Sequence, residues 1–116
     1  MKLPIFIENS KIPVWLSKIS PIDIYAISLG PFVVCRSKMN ERTRIHETIH
    51  YKQWVELGFV LFPILYLFFW IRNLALGRRG IEAYMLIPFE TEAYENDKDI
   101  SYPFNRKKYS WWELIS

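Results

Sequence analysis

The chain of 116 residues has one cysteine, Cys35. That excludes an internal disulfide and a metal cluster held by thiolates, and it is compatible with a reducing compartment. Internal repeats and low-complexity segments are absent, which excludes solenoids and biased linkers. Strong charge is lacking too. A net charge of +3 permits an anionic membrane surface as a neighbour without arguing for nucleic acid. The opening MKLPIFIENSK has no continuous apolar run, because Pro4, Glu8 and Asn9 interrupt it. A secretory signal is therefore not expected, and the protein should be cytoplasmic or peripherally membrane-associated. What the chain does have is 51% hydrophobic and 17% aromatic residues, enough to argue against disorder and for one small-cored domain over residues 1–116.

The pattern along the chain predicts a mainly helical α+β fold. Residues 1–24, with Pro4, Pro13 and Pro21, read as an irregular lead-in with one helical turn near Val14–Ser17. YAISLGPFVVCR, residues 25–36, predicts two short strands or one bent strand. Asn40 is placed to cap a helix that starts at Glu41, runs to Leu57, and ends or bends at Gly58 or at Pro63 at the latest. The most apolar segment, residues 57–71, follows, and then a basic connection, RNLALGRRG. Residues 81–87 are a mixed apolar stretch. Pro88 opens a helix through FETEAYENDKD, with carboxylates crowding its first turn. A basic and aromatic tail occupies residues 101–116.

Both histidines fall in RIHETIHYKQW, residues 44–54. Four residues apart on a helix, His46 and His50 share one face, with Cβ atoms about 5–6 Å apart. Each imidazole can offer a nitrogen to a single zinc ion at about 2.0–2.1 Å. Glu47 projects beside such a metal and can act as general base toward a water that the metal holds. A catalytic zinc site takes three protein ligands, and no third histidine exists. PFETEAYEND supplies carboxylates instead. Glu90, Ala93, Tyr94 and Asp97 fall on one helical face, where Ala93 lets the backbone come close. Glu90 is the preferred third ligand and Glu92 the runner-up.

HETIH and the downstream Glu90-Thr91-Glu92-Ala93 together resemble the gluzincin group of zinc metallopeptidases. The likeness is closer to short HExxH proteins of bacteria and their phages. Their pattern is an apolar strand, HExIHxxQ, an apolar aromatic helix and FExEAY. HETIHYKQ and PFETEAYEND reproduce it over roughly residues 25–110. The resemblance implies one zinc ion, His46 and His50 as ligands, Glu47 as catalytic acid/base, and Glu90 or Glu92 as third ligand. It departs from the larger group at Tyr94, where an acidic residue commonly follows ExxA; Asp97 lies one turn further on. The larger group also uses a separate His, Tyr or Arg to steady the oxyanion; no further histidine remains, and Tyr84, Tyr94 and Tyr102 are candidates. An extended peptide substrate could add to the edge of strand Phe32–Cys35. The expected function is a zinc-dependent peptidase or peptidase-like hydrolase. The alternatives are a non-catalytic protein stapled by zinc, membrane-associated or part of a phage assembly, and a membrane-surface protein without metal.

A three-ligand site also bears on the apolar segment. Its 15 residues would span only ~22 Å as a helix, short of the ~30 Å hydrocarbon core. A single crossing would separate His46 and His50 from Glu90 on opposite sides of the bilayer. The segment is therefore expected as a buried core helix, a re-entrant element, or half of a hairpin returning through Leu74–Ile87. A core helix with exposed aromatics that touch a membrane or a protein partner is favoured. Arg72, Arg78 and Arg79 follow it as interfacial anchors would. RKKYSWW in the tail admits membrane contact or packing on its own domain.

Overall fold

The computed structural model describes residues 4–18, 26–29, 31–36 and 40–115. It is a mainly helical α+β arrangement with a small three-stranded sheet, as the sequence pattern predicts. Strands β1 (Ile5–Ile7), β2 (Ala26–Leu29) and β3 (Phe32–Cys35) line up in the order β1-β3-β2. β3 runs parallel to β1, with Ile7 opposite Val34, and antiparallel to β2, with Ala26 opposite Cys35. Val33, Val34 and Cys35 are buried.

Two expectations change here. The lead-in is not irregular in its described part: it supplies β1 and a six-residue helix, α1 (Ile12–Ser17), whose Pro13 sits in the first turn and needs no amide hydrogen there. β3 is not an edge. Its most apolar run of β-branched residues takes the centre, with a partner on both sides, so a peptide could join only β1 or β2.

The long helix α2 (Glu41–Leu57) begins where Asn40 Oδ1 accepts from the Thr43 amide at 2.8 Å. It stops at Gly58, whose φ of +74° is the left-handed conformation that a helix terminus favours. Phe59 also has positive φ, and the two residues turn the chain by 111° into α3 (Leu61–Ala75). Pro63 lies in the first turn of α3 and does not break it. Residues 81–87, read only as mixed apolar, form most of a short helix, α4 (Gly80–Met85). Then follow α5 (Pro88–Asn96), α6 (Tyr102–Asn105) and a 3-10 turn at Ser110–Leu114.

One face of α3 buries Phe62 and Phe69 against Ile87 and Phe89 of the α5 region and Trp111 of the tail. Ring centroids lie 4.7 Å apart for Phe62 and Phe89 and 4.8 Å apart for Phe89 and Trp111. The tail thus packs on its own domain through Trp111, while Trp112 faces outward. A second cluster joins Ile45 and Ile49 of α2 to Ala93 of α5. Ala93 is fully buried, and its short side chain lets α5 lie close to the histidine face of α2. Among the described residues, no single helix is long and apolar enough to cross a membrane.

Candidate metal centre

Helix α2 projects His46 and His50 from the same face toward Glu90, which stands in the first turn of α5. Glu90 Oε1 lies 3.2 Å from His46 Nε2 and 3.0 Å from His50 Nε2, and the two Nε2 atoms are 3.2 Å apart. All three residues are buried and offer one ligand atom each within 4.8 Å of the others, close enough to hold a metal ion.

The neighbours of each ring decide which atoms face this point. His46 Nδ1 meets Asp97 Oδ2 at 3.1 Å, and Asp97 Oδ1 accepts from Arg42 Nε at 2.8 Å. A carboxylate held in that way accepts, so Nδ1 carries the hydrogen. His50 Nδ1 lies 2.7 Å from Gln53 Oε1. The Gln53 amide is oriented because its nitrogen donates to Phe89 O at 3.1 Å and Glu92 Oε1 at 3.0 Å, both acceptors. His50 Nδ1 is therefore also a donor. Two imidazole lone pairs and a carboxylate oxygen then converge on one point with no hydrogen of their own. Only a cation satisfies three converging acceptors, either a proton or a metal. The donor set, two histidines and one glutamate, is the kind that binds catalytic zinc.

The electrostatics agree. Burial alone would lower the His50 imidazole, but the charge and hydrogen bond of Glu90, with help from Glu47, push it up to about 9. Burial likewise opposes protonation of His46, and Glu90 reverses the sign. Glu90 is buried, which favours its neutral form, yet His50 and His46 hold its carboxyl far below the usual range. At neutral pH a proton on His50 therefore occupies the position that a metal would take. Since His50 must shed it, metal affinity is expected to rise about tenfold per pH unit up to about pH 9 and to level off above. Competition against a chromophoric chelator between pH 6 and 9 measures this; a flat profile would contradict it.

Glu47, next to His46 on α2, is buried, and its Oε2 has no hydrogen-bond partner among the described residues. Burial, with the charge of Glu90, raises its pKa against the pull of both histidines. A buried carboxylate oxygen without a partner is costly, and a reacting molecule can be its partner.

The other anticipated residues fall in different places. Glu92 does not face the histidines. Two positions along α5 turn it through about 200°, and its oxygens are taken by Gln53, Tyr102 and Arg106. Tyr102 is thereby on the far side of α5, 2.9 Å from Glu92 Oε2. The ring of Tyr94 meets His46 edge-on at 4.5 Å, and its hydroxyl lies 3.3 Å from that of Tyr84. Burial, and then the charge of Glu90, keep the Tyr84 hydroxyl protonated.

Three partners have roles that the sequence motifs did not assign. Tyr66 of α3 donates to Glu90 Oε2 at 2.7 Å and so turns Oε1 toward the histidines. It is the one hydroxyl in the apolar segment, and a buried tyrosine hydroxyl needs a partner, which was the available signal. Gln53 lies three residues after His50 on the same helix, a spacing at which side chains meet. Arg106 joins Glu92 to Glu56 from the tail, with no local signal in the sequence. Gln53→Leu keeps the side chain's bulk but leaves His50 Nδ1 unheld. It is expected to weaken metal binding by about 10–100-fold, measurable by the same competition, whereas unchanged affinity would show that Gln53 does not orient the ring.

No family model, curated protein or solved structure matches the chain. The functional reading therefore rests on the geometry of this site.

Proposed function

We propose that this chain is a zinc-dependent hydrolase of peptide or other amide bonds, with His46, His50 and Glu90 as metal ligands and Glu47 as general base. The observation that carries the reading is the pairing of three converging acceptors with an adjacent buried carboxylate oxygen that has no partner. A zinc ion bound there would supply a Lewis acid for the scissile carbonyl and draw the pKa of a water toward 7. Glu47 takes the proton of the attacking water and returns it to the leaving nitrogen. Asp97 and Gln53 fix the two rings, and Tyr66 fixes Glu90, so the ligands need little rearrangement. Tyr94, whose ring packs against His46 and whose hydroxyl burial raises above its ordinary pKa, keeps its proton and is the tyrosine we assign to steady a developing oxyanion.

The first test is metal content. Purified wild-type protein is expected to hold one zinc per chain by elemental analysis, and His46→Ala none. Stoichiometric zinc in both would show that the ion sits elsewhere.

A second reading has an observation in its favour. His46, His50, Glu47 and Glu90 are each at most 7% exposed, and a closed site of that kind suits a zinc that only staples the fold. Cobalt substitution separates the two. An open fourth position gives a visible spectrum that changes when a hydroxamate or another small zinc-binding inhibitor is added. A closed structural site gives one that does not.

A further inference from the structure

The outward face of α3 has no polar side chain from its first residue to Ile71. Leu61, Ile64, Leu67, Phe68 and Ile71 are 45–58% exposed, and Val60 just before the helix is 70% exposed. The opposite face carries Phe62, Phe69 and Asn73 into the core. A helix that is apolar all round should be enclosed, and a contiguous exposed patch of this kind marks an interaction surface.

Charge indicates what covers it. Residues 57–81 contain Arg72, Arg78 and Arg79 and no carboxylate. Removing these three from the chain's fifteen lysines and arginines leaves twelve, against twelve aspartates and glutamates. The whole net charge of +3 thus resides in the segment that carries the apolar face. Three other arginines are neutralised: Arg42 by Asp97, Arg44 by Glu8, and Arg106 by Glu56 and Glu92. Arg72, Arg78 and Arg79 form no ion pair with a carboxylate among the described residues. Arg78 instead donates to Asn73 Oδ1 at 2.7 Å and Arg79 to Leu74 O at 3.4 Å. Unpaired cations at one end of an exposed apolar helix match an anionic lipid surface, where the acyl region takes the aliphatic side chains and the headgroups take the guanidinium groups.

We propose that α3 docks the protein on an anionic bilayer, lying in the interface with Ile64, Leu67, Phe68 and Ile71 immersed. The helix does not span. Its 15 residues reach ~22 Å, and its inner face stays on the protein core. This proposal is independent of the zinc reading. It gives the apolar segment two separate tasks: Tyr66 on the inner face holds Glu90, and the outer face holds lipid.

The test is flotation of the purified full chain with phosphatidylcholine vesicles, with and without 30% phosphatidylglycerol. Binding to the anionic vesicles is expected to be on the order of 100-fold tighter than to neutral ones, from about 1 kcal/mol per arginine. It should fall steeply with added salt. Replacing Arg78 and Arg79 together by Gln should cost roughly 30-fold. Ile64→Gln with Leu67→Gln and Phe68→Gln should abolish binding while the melting transition stays cooperative, because all three side chains already face outward. The wild-type comparison of vesicle compositions and salt needs no variant and stands if the triple variant fails to fold. Wild-type protein that remains in the soluble fraction with both vesicles would overturn the proposal. So would a dimer, seen by sedimentation without vesicles, that the triple variant dissociates while no lipid is bound, since a second copy would then be the occupant. Equal binding to both vesicles, insensitive to salt, would remove the charge argument and overturn it too.

Discussion

Glu47→Gln is expected to abolish measurable hydrolysis while leaving one zinc per chain. The amide is nearly the same size and shape as the carboxylate, so the packing of α2 and the positions of His46 and His50 are preserved. What is lost is the capacity to accept a proton, a contribution of about 10²–10⁴-fold when a positioned base is removed. The effect should fall on kcat with little change in KM, because in the proposed mechanism Glu47 would act on the attacking water and not on the substrate's remote contacts. Stability is expected not to fall, since a neutral amide replaces a buried carboxylate whose Oε2 lacks a partner. A fluorogenic peptide library, read beside elemental analysis and thermal melting of the same samples, tests all three statements. Unchanged turnover with zinc in place would exclude Glu47 as the base. Inactivity of the wild type on every peptide, together with a cobalt spectrum indifferent to inhibitors, would favour the stapled reading.

The second large effect concerns the fold. Arg106→Ala is expected to destabilise the protein by about 3–5 kcal/mol, much of the roughly 5–15 kcal/mol that holds a domain together. Arg106 reaches Glu56 Oε1 at 2.7 Å and Glu92 Oε1 at 2.8 Å, and the three side chains are almost wholly enclosed, at 4%, 3% and 1% exposure. Without the guanidinium, two buried carboxylates face each other with no cation between them. Trp111 Nε1 and the Tyr109 amide also bind Glu56, so the tail would loosen with it. Arg106→Lys should recover little, because one ammonium cannot reproduce a fork that grips two carboxylates. Adding Glu56→Gln to Arg106→Ala should restore part of the loss by removing one of the stranded charges. Urea denaturation of the wild type, Arg106→Ala, Glu56→Gln and their double variant measures the cycle, with Arg106→Lys run beside them. A loss under about 1 kcal/mol for the single variant would mean that the triad is solvated and not buried.

Much of this fold is legible in the sequence where local signals suffice. Asn40 and Gly58 bound α2, and Pro88 with acidic residues behind it starts α5. The strand β1 was not legible because three residues after a proline gain their order from Phe32–Val34, far along the chain. The central position of β3 was hidden for the same reason. At the site, the helical spacing of His46 and His50 is a local property. The choice between Glu90 and Glu92 depends on how α5 is rotated, and that rotation is set by Ala93 against Ile45 and Ile49 on one side and by Arg106 on the other. No short-range pattern contains that information. Tyr66 belongs to the same class, since its hydroxyl finds Glu90 only after the 111° turn at Gly58 and Phe59 brings α3 back over α5.

The scarcity of cysteine acquires a further meaning from the position of Glu90. His50 and Glu90 are 40 residues apart in the chain and meet at 3.0 Å. A metal bonded to both would be a cross-link, closing a loop of that length in any chain that kept it. By the loop-entropy relation, such a closure removes about 4 kcal/mol of freedom from the unfolded ensemble. That is the contribution a disulfide makes in small domains; a metal held here would supply it through residues indifferent to redox conditions, reversibly by a chelator instead of by a thiol.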